Sequence, residues 1–366
     1  MKRKFISVIC AAVLVMTTAL AGCGNAGTDK PEETPVTESE TVTEEVTEEV
    51  TPEPTEVVEE APAVVYEDVD INVAALKGPT AMGMVKLMDE SDKGETATNH
   101  YTFTISAAPD EITPAIVQGN LDIAAVPANL AAVLYNKTKG GVKVIAVNTL
   151  GVLYIVENGE TINTVEDLRG KTIYASGKGA TPEYALNYML SANGINPDTD
   201  VTIEYKAEHA ECVSALESDP DGVAMLPQPF VTTAQLQNEK TRIALDMTKE
   251  WQNAASASGS GATLITGVVI ARTQFVEEHP EAVDLFLEQY GESVDFTNEN
   301  IDEASTLIEN YGIIKAAVAA KAIPYCNITC MAGDEMKEKL SGYLGELYNQ
   351  NPESVGGELP KDEFYY

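Results

Sequence analysis

The chain has 366 residues, 44% apolar and 22% charged, enough for two domains of ordinary size around a buried core. Its 58 acidic residues against 23 Lys and Arg leave a net charge of −35, which argues against nucleic acid as a partner, since phosphate binding needs clustered cations. Only four arginines and five cysteines occur, so bidentate guanidinium clamps are scarce and a disulfide scaffold is excluded.

Met1-Lys2-Arg3-Lys4 is a short cationic start, and residues 5–20 form an apolar stretch too short for a comfortable membrane span. Leu20-Ala21-Gly22-Cys23 follows. This is the pattern of a secretory signal, and the small residues before a cysteine resemble a bacterial lipobox. The resemblance implies cleavage before Cys23 and acylation of its thiol, with residues 1–22 as the signal peptide. An ordinary signal peptide with an incidental cysteine and a retained membrane anchor are the alternatives. The Thr/Glu/Pro/Val segment that follows carries 13 acidic residues and one Lys between Asp29 and Glu60. Such a segment cannot bury enough apolar surface to fold, and its charges repel. Residues 23–66 therefore read as a lipidated Cys and a disordered tether, or alternatively as an acidic tail that binds a metal or partner. Residues 61–366 carry 19 cations and 45 anions, a balance suited to solubility rather than to adhesion on anionic lipid.

From Asp70 onward strands alternate with helices, which argues for parallel sheets. Residues 71–76 read as a strand broken by Gly78-Pro79, and residues 80–90 as a helix with Met84, Leu87 and Met88 on one face. A strand over 101–106, a short helix over 111–118 and a buried strand over 121–126 ending at Pro127 follow. The series recurs 100 residues later. A strand over 171–175 leads into a glycine-rich loop. Thr181 can cap a helix that starts at Pro182 and ends at Gly194. Residues 201–205 alternate as 101–105 do, and "LDIAAVPAN" at 121–129 aligns with "DGVAMLPQP" at 221–229 without a gap. A 100-residue period is too long for a solenoid. It predicts two similar Rossmann-like α/β lobes, crossed by the chain near residues 144–156 and 264–271. The first lobe is expected over 67–152 and 264–366, and the second over 153–263.

Ligands of open α/β sheets bind beyond the carboxyl ends of the strands. There the chain carries Gly78, Pro79 and Thr80; Ser106 and Asp110; Pro127 and Asn129; Ser176, Lys178 and Thr181; and Gln228 between two prolines. Backbone N–H groups at a helix start favour negative charge. Ser176 and Thr181 add hydroxyls and Lys178 a cation, while Gln228 offers an amide that donates and accepts. The plain alternatives are a glycine-rich turn with a capping Thr, and a helix N-cap for Asp110. Tyr154 and Trp251 are stacking candidates for a planar ligand, with core packing as the default for each. Two enzyme signatures fail. Gly177-Lys178-Gly179 meets Pro182 where a dinucleotide fingerprint needs a small residue, and Gly170-Lys171-Thr172 lacks the first glycine of a P-loop. His100, His209 and His279 are dispersed, so "EHAE" at 208–211 reads as a solvated helix start rather than a metal site. Cys212 reads as buried in a helix. Cys326 and Cys330 leave open a disulfide, two free thiols or a metal pair.

"LKGPTAMG" (76–83), "VQGNLDIAAVPANLA" (117–131), "VEDLRGKTIYAS" (165–176), "MLPQPFV" (225–231) and "GVVIARTQFVEEHPEAV" (267–283) resemble type 2 periplasmic binding proteins, the substrate-binding subunits of ABC importers. Within them the chain is most similar to the nitrate/sulfonate/taurine/thiamine-precursor group, over about residues 68 to 345. The resemblance implies a monomeric extracytoplasmic protein, lipid-anchored through Cys23, with no cofactor, metal or catalytic residue. It would capture a small polar molecule of the sulfonate, pyrimidine or vitamin-precursor type and deliver it to an ABC permease and its ATPase. A ligand-sensing receptor lipoprotein is the second reading. An enzyme on the same fold is the third, and the pyrimidine-precursor synthases of this superfamily carry a clustered-cysteine motif that this chain lacks.

Overall fold

The computed structural model describes residues 67–260 and 262–366. The expected signal peptide, acylated Cys23 and tether lie outside the described residues. In chain order the elements are β1 (Val69–Leu76), α1 (Pro79–Met82), α2 (Val85–Lys93), β2 (Asn99–Ser106), α3 (Pro109–Val117), β3 (Ile123–Pro127), α4 (Ala128–Thr138) and β4 (Val142–Leu150), then β5 (Leu153–Asn158), β6 (Thr172–Ala175), α5 (Thr181–Ala192), β7 (Thr202–Tyr205), α6 (His209–Ser218), β8 (Val223–Pro227), α7 (Phe230–Gln237), β9 (Thr241–Asp246) and α8 (Met247–Ser258). The chain closes with β10 (Ile265–Arg272), α9 (Thr273–Glu278), α10 (Pro280–Glu299), α11 (Ile301–Asn310), α12 (Ala316–Ala322), β11 (Ile328–Met331) and α13 (Gly333–Gln350).

Two sheets result, with the orders β11-β4-β10-β3-β1-β2 and β7-β6-β8-β5-β9. Read from the other edge, the first sheet runs β2-β1-β3-β10-β4 before its extra strand β11, the same path as β7-β6-β8-β5-β9. The duplication extends to register. Val73 pairs Ile123 and Phe103 in the first sheet; Ile173 pairs Val223 and Ile203 in the second. Each lobe adds one antiparallel strand next to its third, β10 on β3 and β5 on β8. The sequence repeat is thus a repeat of hydrogen-bonded partners, which is why its offset is maintained so strictly at strands β3 and β8.

Local chemistry explains the departures from the sequence reading. The helix expected over 80–90 is broken at Gly83, where a Cβ would meet Ile328 Cγ2 at 2.8 Å, so β11 packs directly on the backbone there. Gly94 and Gly194 end their segments with φ of 71° and 70°, a left-handed conformation natural to glycine. Asp110 lies inside the first turn of α3, whose N-cap is Ala108, so it is not the cap. Thr181 does not cap α5 either; the N-cap is Ala180, and the Thr181 hydroxyl is used elsewhere.

One apolar core runs through both lobes, from Val126 and Ala131 through Leu153 and Ile155 to Leu186 and Met189, and α13 contributes Leu340, Tyr343 and Leu344 to it. A second core lies on the far face of the first sheet under α2 and α10, and a third under α6 and α7. The chain passes between the sheets twice, at residues 150–152 and after α8. At the first passage a Cβ on Gly151 would run into Thr248 Oγ1, and would stand 3.0 Å from Leu264 Cδ2 of the second passage. Asn327 clasps this crossing: its carbonyl accepts from Leu150 N (3.1 Å), and its Nδ2 donates to Gly151 O (2.5 Å). No helix of the described residues is long and apolar enough to cross a membrane.

Candidate functional site: the interface between the lobes

Six parallel strands end on the same side as the crossings, and each leads within a few residues into a helix start. The pairs are β1 to α1, β2 to α3, β3 to α4, β6 to α5, β7 to α6 and β8 to α7. Three of these starts come from each lobe. They meet directly: Thr181, first residue of α5, donates its hydroxyl to Asn129 Oδ1 in the first turn of α4 (3.3 Å). Tyr154 OH donates to Tyr325 O (3.0 Å), and α12 packs on α7. The starts of α4 and α5 therefore bring partial positive charge to the contact between the lobes.

Of the residues singled out in the sequence, Asn129 and Thr181 meet directly, and the others take separate roles. Asn129, Ser176, Thr181 and Gln228 are only 6%, 2%, 1% and 1% exposed. Asn129 also donates through Nδ2 to Ser354 O within its own lobe (3.3 Å), and Tyr343 OH of the first lobe donates across to Thr181 Oγ1 (3.2 Å). Gln228 Oε1 accepts from Thr232 Oγ1 (2.9 Å) and N (3.3 Å), which leaves its NH2 end for another partner. Gly78, with φ of 122°, opens the turn into α1, followed by Pro79; the Thr80 hydroxyl turns back to Leu76 O (2.8 Å). Ser106 is buried at the end of β2, where its carbonyl accepts from Lys77 N. Lys178 is exposed and lies over the Tyr205 ring, 5.6 Å from its centre. Tyr154 is a core residue whose hydroxyl is raised in pKa by burial. Trp251 is also core, tilted on Tyr188 (4.1 Å) and Tyr343 (5.5 Å), and its Nε1 donates to Ala262 O.

The sequence reading missed His209. It stands at the first position of α6, but its ring is turned inward rather than solvated: Nδ1 hydrogen-bonds Ser176 Oγ, and Phe230 lies 5.1 Å away centre to centre. Burial drives its pKa down to about 4, so the imidazole is neutral at pH 7. Cys212 is buried on the same helix, with its thiol pushed up by burial. The repeat itself held the signal: with the 100-residue offset His209 corresponds to Pro109, inside the loop already assigned to the cleft. Cys326 and Cys330 are free thiols, raised by burial to about 12 and about 11, so the disulfide is not formed. Among the described residues no group of three or more His, Cys, Asp or Glu is placed to hold a metal ion.

The three described arginines are engaged away from this interface. Arg169 pairs with Asp200 (2.7 Å), Arg242 with Glu157 (2.5 Å) and Arg272 with Asp122 (2.7 Å). Two surface depressions, one lined by Glu67, Asn99 and His279 and the other by Lys139, Lys143 and Lys361, lie at the opposite ends of the strands.

A family model described as "ABC transporter, phosphonate, periplasmic substrate-binding protein" matches residues 95–321. No curated protein matches the chain. Among solved structures, an ABC transporter protein from Parabacteroides distasonis is similar at a TM-score of 0.68 with 21% identity, covering 82% of this chain and 99% of that one. The periplasmic aliphatic sulphonate binding protein SsuA from Escherichia coli is similar at 0.63 with 16% identity, covering 81% and 92%. The alkanesulfonate-binding protein SsuA from Xanthomonas axonopodis pv. citri, bound to MOPS, is similar at 0.60 with 13% identity, covering 81% and 96%. At such identities these likenesses establish the fold.

Proposed function

The chain belongs to the family of periplasmic substrate-binding proteins of phosphonate ABC transporters, and we propose that it captures a small organic oxyanion, of phosphonate or sulfonate type, between its two lobes and delivers it to an ABC permease and its ATPase. The observation that supports the choice of ligand is the meeting of the α4 and α5 starts between the lobes, at the strand ends from which other helices also begin. Oriented N–H groups there suit a tetrahedral oxyanion without a guanidinium clamp, Lys178 being the one cation of the reading. The scarcity of arginine therefore loses its force against an anion: the described guanidiniums are bound to carboxylates, and dipoles take their place. Two structural neighbours named as sulfonate binders support the same choice.

In this reading Gly78, Pro79, Thr80 and Ser106 of the first lobe, with Ser176, Lys178 and Gln228 of the second, contact the solute, and Asn129, Tyr154 and Thr181 shape the interface around it. The lobes comprise residues 67–152 with 264–366, and residues 153–263. No catalytic step is assigned. Acylated Cys23 would anchor the monomer outside the cell membrane, and residues 23–66 would serve as its tether; Cys23→Ser should move the protein from the membrane fraction to the medium or periplasm.

The test is a thermal-shift screen on delipidated protein, refolded to strip bound solute, against phosphonates, sulfonates, nitrate, pyrimidines and thiamine precursors. A solute at 100 times its dissociation constant stabilises by about 2.7 kcal/mol, or a few degrees. Shifts confined to phosphonates or sulfonates support the reading. Shifts given only by neutral solutes, or by none, sink it.

A further inference from the structure

Ser176 Oγ, just after β6, and His209 Nδ1, at the start of α6, share a hydrogen bond in a place with no charge to balance the ring. The His209 ring is half-buried and tilted on Phe230 of α7, and burial alone lowers its pKa to about 4. Its Nε2 has no partner among the described residues, yet it is not sealed from solvent. The ionisable groups around it are engaged elsewhere. On its own helix Glu208 and Glu211 form the capping box, and Glu211 Oε2 accepts from Ala207 N (2.8 Å). Lys206, at the end of β7, is paired with Glu204 (3.0 Å). Tyr174 on β6 donates to Asp219 Oδ2 (3.1 Å), and Tyr154 on β5 to Tyr325 O. Cys212 lies beside the same Ser176 hydroxyl as a neutral thiol, raised by burial. A chain with 58 acidic residues thus gives this histidine no counter-ion.

The protons of the pair can be counted. A neutral imidazole and a hydroxyl hold two between them. One is used in their own bond, whichever ring nitrogen carries the other, so the neutral pair offers a solute a single donor. The imidazolium pair holds three and offers two, the Ser176 O–H and the His209 Nε2–H, together with a positive charge. An opposite charge within about 4–6 Å raises the pKa of such a ring by about 1–3 units, and an anionic solute beside Ser176 is the missing counter-ion. A neutral solute has no such effect. We propose that His209 is a solute-binding residue of the second lobe, neutral in the empty protein, that takes up a proton as the oxyanion is captured and so favours anions over neutral solutes of the same shape. This rests on the oxyanion reading above and deepens it.

Proton NMR of the full chain reads this directly, because only three histidines contribute imidazole signals. In the empty protein one signal should titrate near pH 4, and its loss in His209→Gln assigns it. Saturating ethylphosphonate or ethanesulfonate should move that midpoint up by about 1–3 units. Calorimetry supplies the second readout, the dissociation constant of wild type divided by that of His209→Gln at the same pH, in which the solute's own titration cancels. By linkage, a shift of two units makes this ratio fall about tenfold from pH 8 to pH 5. A bound solute that leaves the His209 midpoint in place overturns the proposal and leaves the oxyanion reading standing, and so does a flat ratio. Three signals that all titrate above pH 6 in the empty protein overturn it as well. Should His209→Gln fail to fold, the lowest-titrating wild-type signal decides by itself. Binding of neither solute overturns both inferences together.

Discussion

Thr181 and Asn129 hydrogen-bond one another at 3.3 Å from the first turns of α5 and α4, so two helix starts, one from each lobe, are tied across the interface. The tie is buttressed on both sides. Tyr343 OH donates to the same Thr181 hydroxyl, and Asn129 Nδ2 is held by Ser354 O. A hydroxyl with one donor and one acceptor partner is fully oriented. The bond thus ties the two lobes to one another beside the crossings.

Removing that tie should change closure more than stability. Thr181→Val keeps the shape of the side chain but cannot donate to Asn129. A hydrogen bond of this kind contributes about 0.5–1.5 kcal/mol, so solute affinity should fall roughly threefold to tenfold. Small-angle scattering of the solute-free protein should give a larger radius of gyration than wild type, with the melting point lowered by only a few degrees. Unchanged scattering and affinity would reduce the bond to an incidental contact.

The hinge offers a sharper case. Gly151 has no room for a side chain, because Thr248 Oγ1 and Leu264 Cδ2 occupy the space. Gly151→Ala must push the first crossing away from α8 and the second crossing, and it also strains the Asn327 clasp on the Gly151 carbonyl. Overpacking of this kind costs about 1–3 kcal/mol. The expected result is a lower melting point together with weaker solute binding. Thr248→Ala in the same chain should restore both, because it removes the obstructing hydroxyl. Failure of that rescue would place the strain elsewhere.

The repeat shows why so much of the fold was legible. Residues 121–129 and 221–229 align without a gap because Val73–Ile123 and Ile173–Val223 are the same pairing in two sheets. Parallel strands buried on both faces admit only apolar residues, so sequence and register are coupled. The candidate site was legible only as loops. Position after a strand brings Asn129, Thr181 and Gln228 to the carboxyl ends of the sheets, but that Asn129 meets Thr181, 52 residues away in the chain, depends on how the opposite lobe is placed. His209 was missed for a related reason. A histidine flanked by glutamates reads as solvated, and only the fold turns its ring onto Ser176 and Phe230 while Glu208 and Glu211 form the capping box outside.

Trp251 tests the contribution of the shared core. It is 1% exposed and lies between Tyr188 on α5 and Tyr343 on α13, so it joins helices that pack on different sheets. Trp251→Ala removes a large buried ring and orphans the Ala262 carbonyl, which accepts from its Nε1. A loss of about 3–5 kcal/mol is expected, read as a shifted denaturation midpoint. Trp251→Phe should cost less, since it keeps most of the apolar contact. If the alanine variant lost less than about 1 kcal/mol, the two lobes would not be stabilised through this cluster.

His209 should make stability depend on pH in the mildly acidic range. Burial lowers its pKa from 6.5 to about 4 in the folded protein, so between those values the unfolded chain binds a proton that the folded chain does not. By linkage, stability then rises with pH across that window and is lost as pH falls through it. At one pKa unit per about 1.36 kcal/mol, the loss between pH 7 and pH 4 can reach about 3 kcal/mol. An oxyanion seated beside Ser176 would favour the imidazolium and oppose the trend. Urea denaturation of wild type and His209→Gln from pH 4 to pH 8 isolates this contribution, because the remaining carboxylates titrate in both. The wild-type curve should fall more steeply below pH 6.5 than the variant's, and adding ethylphosphonate should flatten the difference. Parallel curves would mean that the ring opens to solvent and takes its proton without disturbing the fold.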